Sequence, residues 1–164
     1  EDILYYAYSV YSSPSYRSRY AEFLKIDFPR LPVTSNLSLF RRLAQLGSEL
    51  ITLQLMESSI LDRPITIFSG LGDRAVAAGY PRFEDGTVFI NNRQGFDGVP
   101  DDVWEFYIGG YQVCEKWLKD RKGRTLSPED IDHYHRIVVA LSETIRLMRE
   151  IDEVIDQHGG WPIR

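Results

Sequence analysis

The sequence predicts an α+β fold with N-terminal helices, a small antiparallel β-sheet with a hairpin in the middle, and C-terminal helices. Three observations predict it. Leucine recurs at 39, 43, 46, 50 and 53, the three-and-four spacing of a helix that buries one stripe. RFEDGTVFIN, residues 82–91, sets Asp85-Gly86 between two short alternating runs, and a two-residue hairpin turn needs positive φ at both central positions. SPED, residues 127–130, precedes a long apolar-periodic segment: serine caps, proline takes the first turn, and acids meet the positive helix end. Helices and strands are grouped along the chain rather than alternating singly, which excludes a parallel β-α-β sheet.

Each element follows from its residues. Residues 3–11 are apolar almost all round and predict a buried helix. Ser13-Pro14 reads as cap and first-turn proline. The helix that follows, residues 14–26, places Tyr16, Tyr20, Phe23 and Leu24 on one face, and FPRLP ends it. Ser35 or Asn36 caps a third helix reaching about residue 58. Gly47 inside it costs about 1 kcal/mol against alanine, so it marks a close packing contact. PITIF, residues 64–68, reads as a short strand. Trp104, Phe106 and Ile108 alternate with Glu105 and Tyr107, the pattern of a half-buried strand. Residues 112–122 read as a helix stopped by Gly123. The last helix places Ile131, Tyr134, Val138, Leu141, Ile145 and Met148 on its core face and runs to about residue 157, where HGGWP ends it. The parts are therefore helical over 1–60, β over 61–110 and helical over 111–158, within one domain of residues 1–164. The opening EDILYYAYSVY is already in helical register and has no starting Met, the reading of a C-terminal fragment of a larger polypeptide.

Composition narrows the class. At 43% hydrophobic and 26% charged, the 164 residues can bury a core, and disordered or collagen-like chains are excluded. The lone cysteine, Cys114, permits neither an internal disulfide nor a cysteine-based zinc site, which fits a reducing cytoplasm. No apolar run reaches membrane-spanning length, so no membrane partner is expected. The net charge of −5 argues against a wholly basic DNA-coating protein, but its distribution is uneven. Residues 116–124 carry five basic residues against Asp120, while residues 127–164 hold eight acids against four basic residues.

Few motifs carry chemistry. GLGDRA, residues 70–75, formally matches a dinucleotide fingerprint, yet a proline and a hairpin follow too soon for a crossover helix. Gly109-Gly110 lies between a strand-like and a helix-like run, as a phosphate-binding turn or as a tight turn that only glycine tolerates. Lys116, Lys119, Arg121, Lys122 and Arg124 complement a helix C-terminus, or form a footprint on a nucleic-acid backbone. His133 and His135 point to different helix faces and cannot share a metal there, so no metal ligands are assigned. Cys114 reads as a packed residue, and no catalytic constellation is found.

Three long phrases carry a family resemblance: YYAYSVYSSPSYRSRYAEFLKIDFPRLP, VFINNRQGFDGVPDDVW and FYIGGYQVCEKWLKDRKGRTLSPEDIDHYHRIVVALSETIRLMREID. Together they resemble the C-terminal target-recognition (specificity) domain of bacterial restriction-modification enzymes of the type ISP kind and of adenine-specific DNA methyltransferases. The resemblance implies a chain that is not itself an enzyme. It would read double-stranded DNA for a methyltransferase domain of the same polypeptide, where S-adenosylmethionine is bound and adenine N6 is methylated. The N-P-P-Y or D-P-P-Y signature of that chemistry is absent here, and no cofactor is expected in this chain. Under this reading Lys116, Lys119, Arg121, Lys122 and Arg124, with Gly109, Gly110, Arg17 and Arg19, are the candidates for phosphate contact. Asn91, Asn92, Arg93 and Gln94 are the candidates for base edges, because arginine suits guanine and amides suit adenine, although a polar turn remains the alternative. The rival reading is a protein-interaction module docking the methyltransferase or helicase domain of the same polypeptide.

Overall fold

Ser13 turns the chain from a first helix, α1 (Asp2–Ser12), into a second, α2 (Pro14–Arg19), by accepting a hydrogen bond from Tyr16 N at 3.0 Å. The computed structural model describes residues 1–164, which pack as two units: residues 1–58 with 143–164, and residues 59–142. The remaining helices of the first unit are α3 (Ala21–Leu24) and α4 (Leu37–Gln54), with Asn36 as the side-chain cap of α4. The second unit holds a 3-10 turn (Ser59–Asp62), β1 (Ile67–Ser69), β2 (Arg82–Glu84), β3 (Thr87–Phe89), β4 (Gly95–Asp97), α5 (Asp101–Trp104), β5 (Tyr107–Ile108), β6 (Tyr111–Gln112) and α6 (Val113–Lys119). Helix α7 (Pro128–Gln157) gives its first part to the second unit and its later part to the first.

In the first unit α1 packs on α4. All five leucines of the predicted stripe are buried, opposite Tyr6 and Val10. Gly47 is the point of closest approach, since a Cβ there would stand 1.9 Å from the carbonyl oxygen of Tyr5. The all-round burial expected of the first helix is not found: Ile3 and Leu4 are exposed, because α1 meets α4 with one face only. The second predicted helix is interrupted at Tyr20, whose φ of −103° leaves the helical region. Asp152 of α7 ties the α1–α2 turn, accepting from Ser13 Oγ at 2.5 Å, Ser15 Oγ at 2.8 Å and Ser15 N at 3.0 Å.

The second unit is built on an antiparallel sheet of order β1-β4-β3-β2. The β2–β3 hairpin turns on Asp85 and Gly86, at φ of 47° and 80°, as the Asp-Gly pair requires. Strand β4 is not apparent in its residues, GFD, but Phe96 is fully buried against Phe68 and Tyr134, with ring centroids at 4.9 and 4.3 Å. The strand expected across 104–108 is corrected. Pro100 followed by two acids starts the short helix α5, and only Tyr107–Ile108 pair as strand. Ser127 and Asp130 form the predicted capping box, with reciprocal bonds of 3.0 and 2.9 Å. Along α7 the expected stripe holds at Tyr134, Val138 and Leu141, then shifts to Thr144, Leu147 and Ile151, leaving Ile145 and Met148 half-buried.

Candidate nucleic-acid interface

The glycine-rich segment after β1 forms no helix, which excludes the dinucleotide turn and leaves its backbone available for pairing. Gly70, at φ of 93°, passes so close to the loop after β3 that a Cβ would lie 1.8 Å from Arg93 O. The two loops are clasped by amides. Gln94 is only 3% exposed, and its Oε1 accepts from Arg74 N at 2.8 Å and from Asn91 Nδ2 at 3.2 Å. Asn91 Nδ2 also donates to Ala75 O at 3.0 Å, while its Oδ1 accepts from Arg93 N and Gln94 N at 2.9 and 2.8 Å. Gly72 leaves the room this needs, since a Cβ there would fall 2.6 Å from Gln94 Oε1.

On its other side the same segment pairs with the end of the basic run. Ala75 bridges Thr125, Val76 N donates to Arg124 O at 3.0 Å, and Gly123 N donates to Val76 O at 2.8 Å. Residues 72–77 thus join two sets of candidates that are far apart in sequence, the polar loop 91–94 and the basic end 122–124. An open cleft of about 510 Å³ lies along the join, lined by Asp73, Asn91, Asn92 and Arg93 among others.

The candidates divide by what already engages them. Asn91 spends both ends of its amide, and Gln94 its Oε1, on the clasp, whereas Asn92 and Arg93 are exposed. Lys116 is paired with Asp120 and Lys119 with Glu115, each at 2.5 Å. Arg121 lies over the Trp117 ring at 3.6 Å and donates to Trp117 O, with its Nε buried and unpartnered. Lys122 and Arg124 are exposed, and neither they nor Arg93 and Arg74 form an ion pair. Asp130 feels this positive field: its carboxyl is held below the usual range, first by the Ser127 backbone N–H and further by Arg121 and Arg124.

Gly109-Gly110 does not open a helix. The pair is the two-residue turn of the β5–β6 hairpin, with Gly109 at φ of 61°, and α6 begins only at Val113. The tight-turn alternative accounts for these glycines, because α6 does not present their N–H groups as its first turn. Arg17 and Arg19 belong to the first unit, where Arg17 Nε donates to Tyr11 O at 2.7 Å and Arg19 lies over Tyr20. His135 Nδ1 is hydrogen-bonded to Thr66 Oγ1 at 2.6 Å, and His133 lies beside Trp117. Cys114 is fully buried, and that burial pushes its thiol up to about 12. What the sequence does not announce is the backbone of residues 74–76, where Arg74 N donates to Gln94 Oε1 and Arg74 O accepts from Leu126 N.

Comparison with known proteins places this geometry. A family model described as the Type ISP C-terminal specificity domain matches residues 1–150. No curated protein matches the sequence. Among solved structures, a nuclease-deletion mutant of the Type ISP restriction-modification enzyme LlaGI in complex with a DNA substrate mimic is 22% identical, with a TM-score of 0.65 over 91% of this chain and 13% of that one. A cryo-EM DrdV–DNA complex is 23% identical, with a TM-score of 0.70 over 92% of this chain and 18% of that one. The ATP-dependent Type ISP restriction-modification enzyme LlaBIII bound to DNA is 21% identical, with a TM-score of 0.61 over 99% of this chain and 11% of that one. The chain therefore spans less than a fifth of the length of the structures it matches.

Proposed function

From the premise that this chain belongs to the Type ISP C-terminal specificity domain family, we propose that it is the DNA target-recognition part of a bacterial restriction-modification polypeptide. It holds duplex DNA so that a separate domain, binding S-adenosylmethionine, can methylate adenine N6. Reaching a stacked base requires taking it out of the helix, so a domain that fixes the register of the duplex fixes which adenine is offered. The observation that carries the reading is the join made by residues 72–77. It links the backbone of the basic end, with its exposed Lys122 and Arg124, to the loop that carries the exposed Asn92 and Arg93, within one unit. Phosphate contacts from the former would set register, and the latter carry the chemistry for base edges. Lys116 and Lys119 rank below them as phosphate contacts because acids on their own helix already neutralise them.

Fluorescence anisotropy of a labelled random-sequence duplex, titrated with the chain across a salt series, tests the reading. Affinity falling steeply with salt supports an electrostatic DNA surface. Absence of binding at low salt contradicts it. One observation favours the second reading, a docking module for another domain of the polypeptide: Ile26 and Phe28, on the segment before α4, are 85% and 87% exposed. Tight binding to the methyltransferase domain by a chain indifferent to DNA would favour that role.

A further inference from the structure

We propose that Asp73 is a specificity-determining residue that accepts a hydrogen bond from the N4 amino group of a cytosine, while Arg93 takes the guanine of the same base pair. This rests on the DNA-reading role proposed above. Both side chains line the same open cleft of about 510 Å³. Both are exposed, and although opposite in charge they pair neither with one another nor with any other charged group. Asp73 is also fixed in direction. Its Oδ1 accepts from Ala75 N at 3.0 Å, the turn an aspartate makes with its own backbone two residues on, and its Oδ2 has no partner.

One amide clasp holds the backbone beneath both residues. Gln94 Oε1 accepts from the N–H of Arg74, which follows Asp73. A Cβ on Gly72, which precedes it, would stand 2.6 Å from that same oxygen. Asn91 Oδ1 accepts from Arg93 N at 2.9 Å, and Asn91 Nδ2 donates to Gln94 Oε1 at 3.2 Å. Asn91 and Gln94 are therefore positioning residues, and a site held this way is set before it meets its ligand. An acid on a DNA-facing surface repels phosphates, so Asp73 needs a donor among the base edges to offset that cost. In the major groove guanine offers two acceptors, O6 and N7, and its cytosine offers the N4 donor. A guanidinium and a carboxylate in one cleft match that set. An A·T pair instead places acceptor and donor together on adenine, the pattern that an amide fits.

The test is enrichment of bound sequences from a random duplex pool, performed on the full chain and on Asp73→Asn and Arg93→Ala, with thermal melting of each. Asp73→Asn keeps an oxygen for Ala75 N, so it should melt with the parent. It should bind random duplex more tightly, because a negative charge has gone, yet lose about 10-fold preference for G·C at one base pair. The tighter binding would follow from removing any acid near phosphates. The lost preference would not, and it separates base reading from a turn-forming role. Arg93→Ala should relax that same base pair. A parent chain that binds no duplex, or enriches no sequence, overturns the DNA-reading role and this assignment with it. A parent that enriches a site which Asp73→Asn enriches equally overturns the Asp73 assignment alone, as does relaxation of two different base pairs by the two variants.

Discussion

Removing Lys122 and Arg124 should flatten the salt dependence of DNA binding, whereas removing Lys116 or Lys119 should barely change it. Each cation brought to a phosphate of duplex DNA adds about 0.9 to the slope of log affinity against log salt. Lys122 and Arg124 are exposed and form no ion pair, so each can make such a contact without breaking another. The double variant Lys122→Ala/Arg124→Ala should therefore lose about 1.8 from the slope. Between roughly 50 and 200 mM salt, the parent should lose about twelve-fold more affinity than that variant. Lys116 and Lys119 already face Asp120 and Glu115 at 2.5 Å and add little net charge to the surface. Their alanine variants should each change the slope by less than about 0.4, under half of one full contact. The assay is anisotropy of a labelled duplex at several salt concentrations, with the slope fitted for each variant. Equal flattening by Lys119→Ala and Lys122→Ala would show instead that an intrahelical ion pair is no bar to phosphate contact.

Other consequences concern the scaffold. Gly47→Ala should destabilise the first unit despite its better helix propensity, because a Cβ 1.9 Å from Tyr5 O pushes α1 off α4. A net loss of about 2 kcal/mol would lower the melting temperature by roughly 4–8 °C, and an unchanged or higher value would contradict the packing. Burial lowers the pKa of His135 from 6.5, with Asp132 opposing. Below pH 6.5 the unfolded chain takes up a proton that the folded chain resists, so stability is lost as pH falls from there towards the folded value. Urea midpoints at about pH 7.5 and about pH 5.5 should show that loss, and His135→Gln should lessen it; an equal loss in the variant would assign it to other groups. Cys114, buried and with its thiol raised to about 12, should react with a maleimide only as the chain unfolds. Fast labelling of the folded chain would place the thiol at the surface.

What could be read from the sequence was local. The Asp85-Gly86 turn, the Ser127–Asp130 box, the cap at Asn36 and the leucine stripe of α4 each depend on residues within a few positions of one another. Trp104, Phe106 and Ile108 misled because alternation over five residues competes with a Pro-Asp-Asp helix start, and the start prevailed. The glycine pair at 109–110 was legible as a turn, but its partner strands of two residues each carry almost no pattern. The join at the candidate interface was beyond sequence reasoning, since it consists of backbone pairs between residues 74–76 and 123–126 and one buried glutamine. Asn91 and Gln94 have the chemistry of base readers, and only the structure shows the Asn91 amide and Gln94 Oε1 engaged within the fold.

On the reading proposed above, DNA meets the surface formed where residues 72–77 join the loop 91–94 and the basic end 122–124. The most direct measurement is photocrosslinking of the chain to a random-sequence duplex carrying 5-iodouracil, with the linked peptides identified by mass spectrometry. Crosslinks are expected on peptides containing Asn92, Arg93, Lys122 or Arg124. Crosslinks confined to residues 1–58, or to the paired lysines of α6, would contradict it.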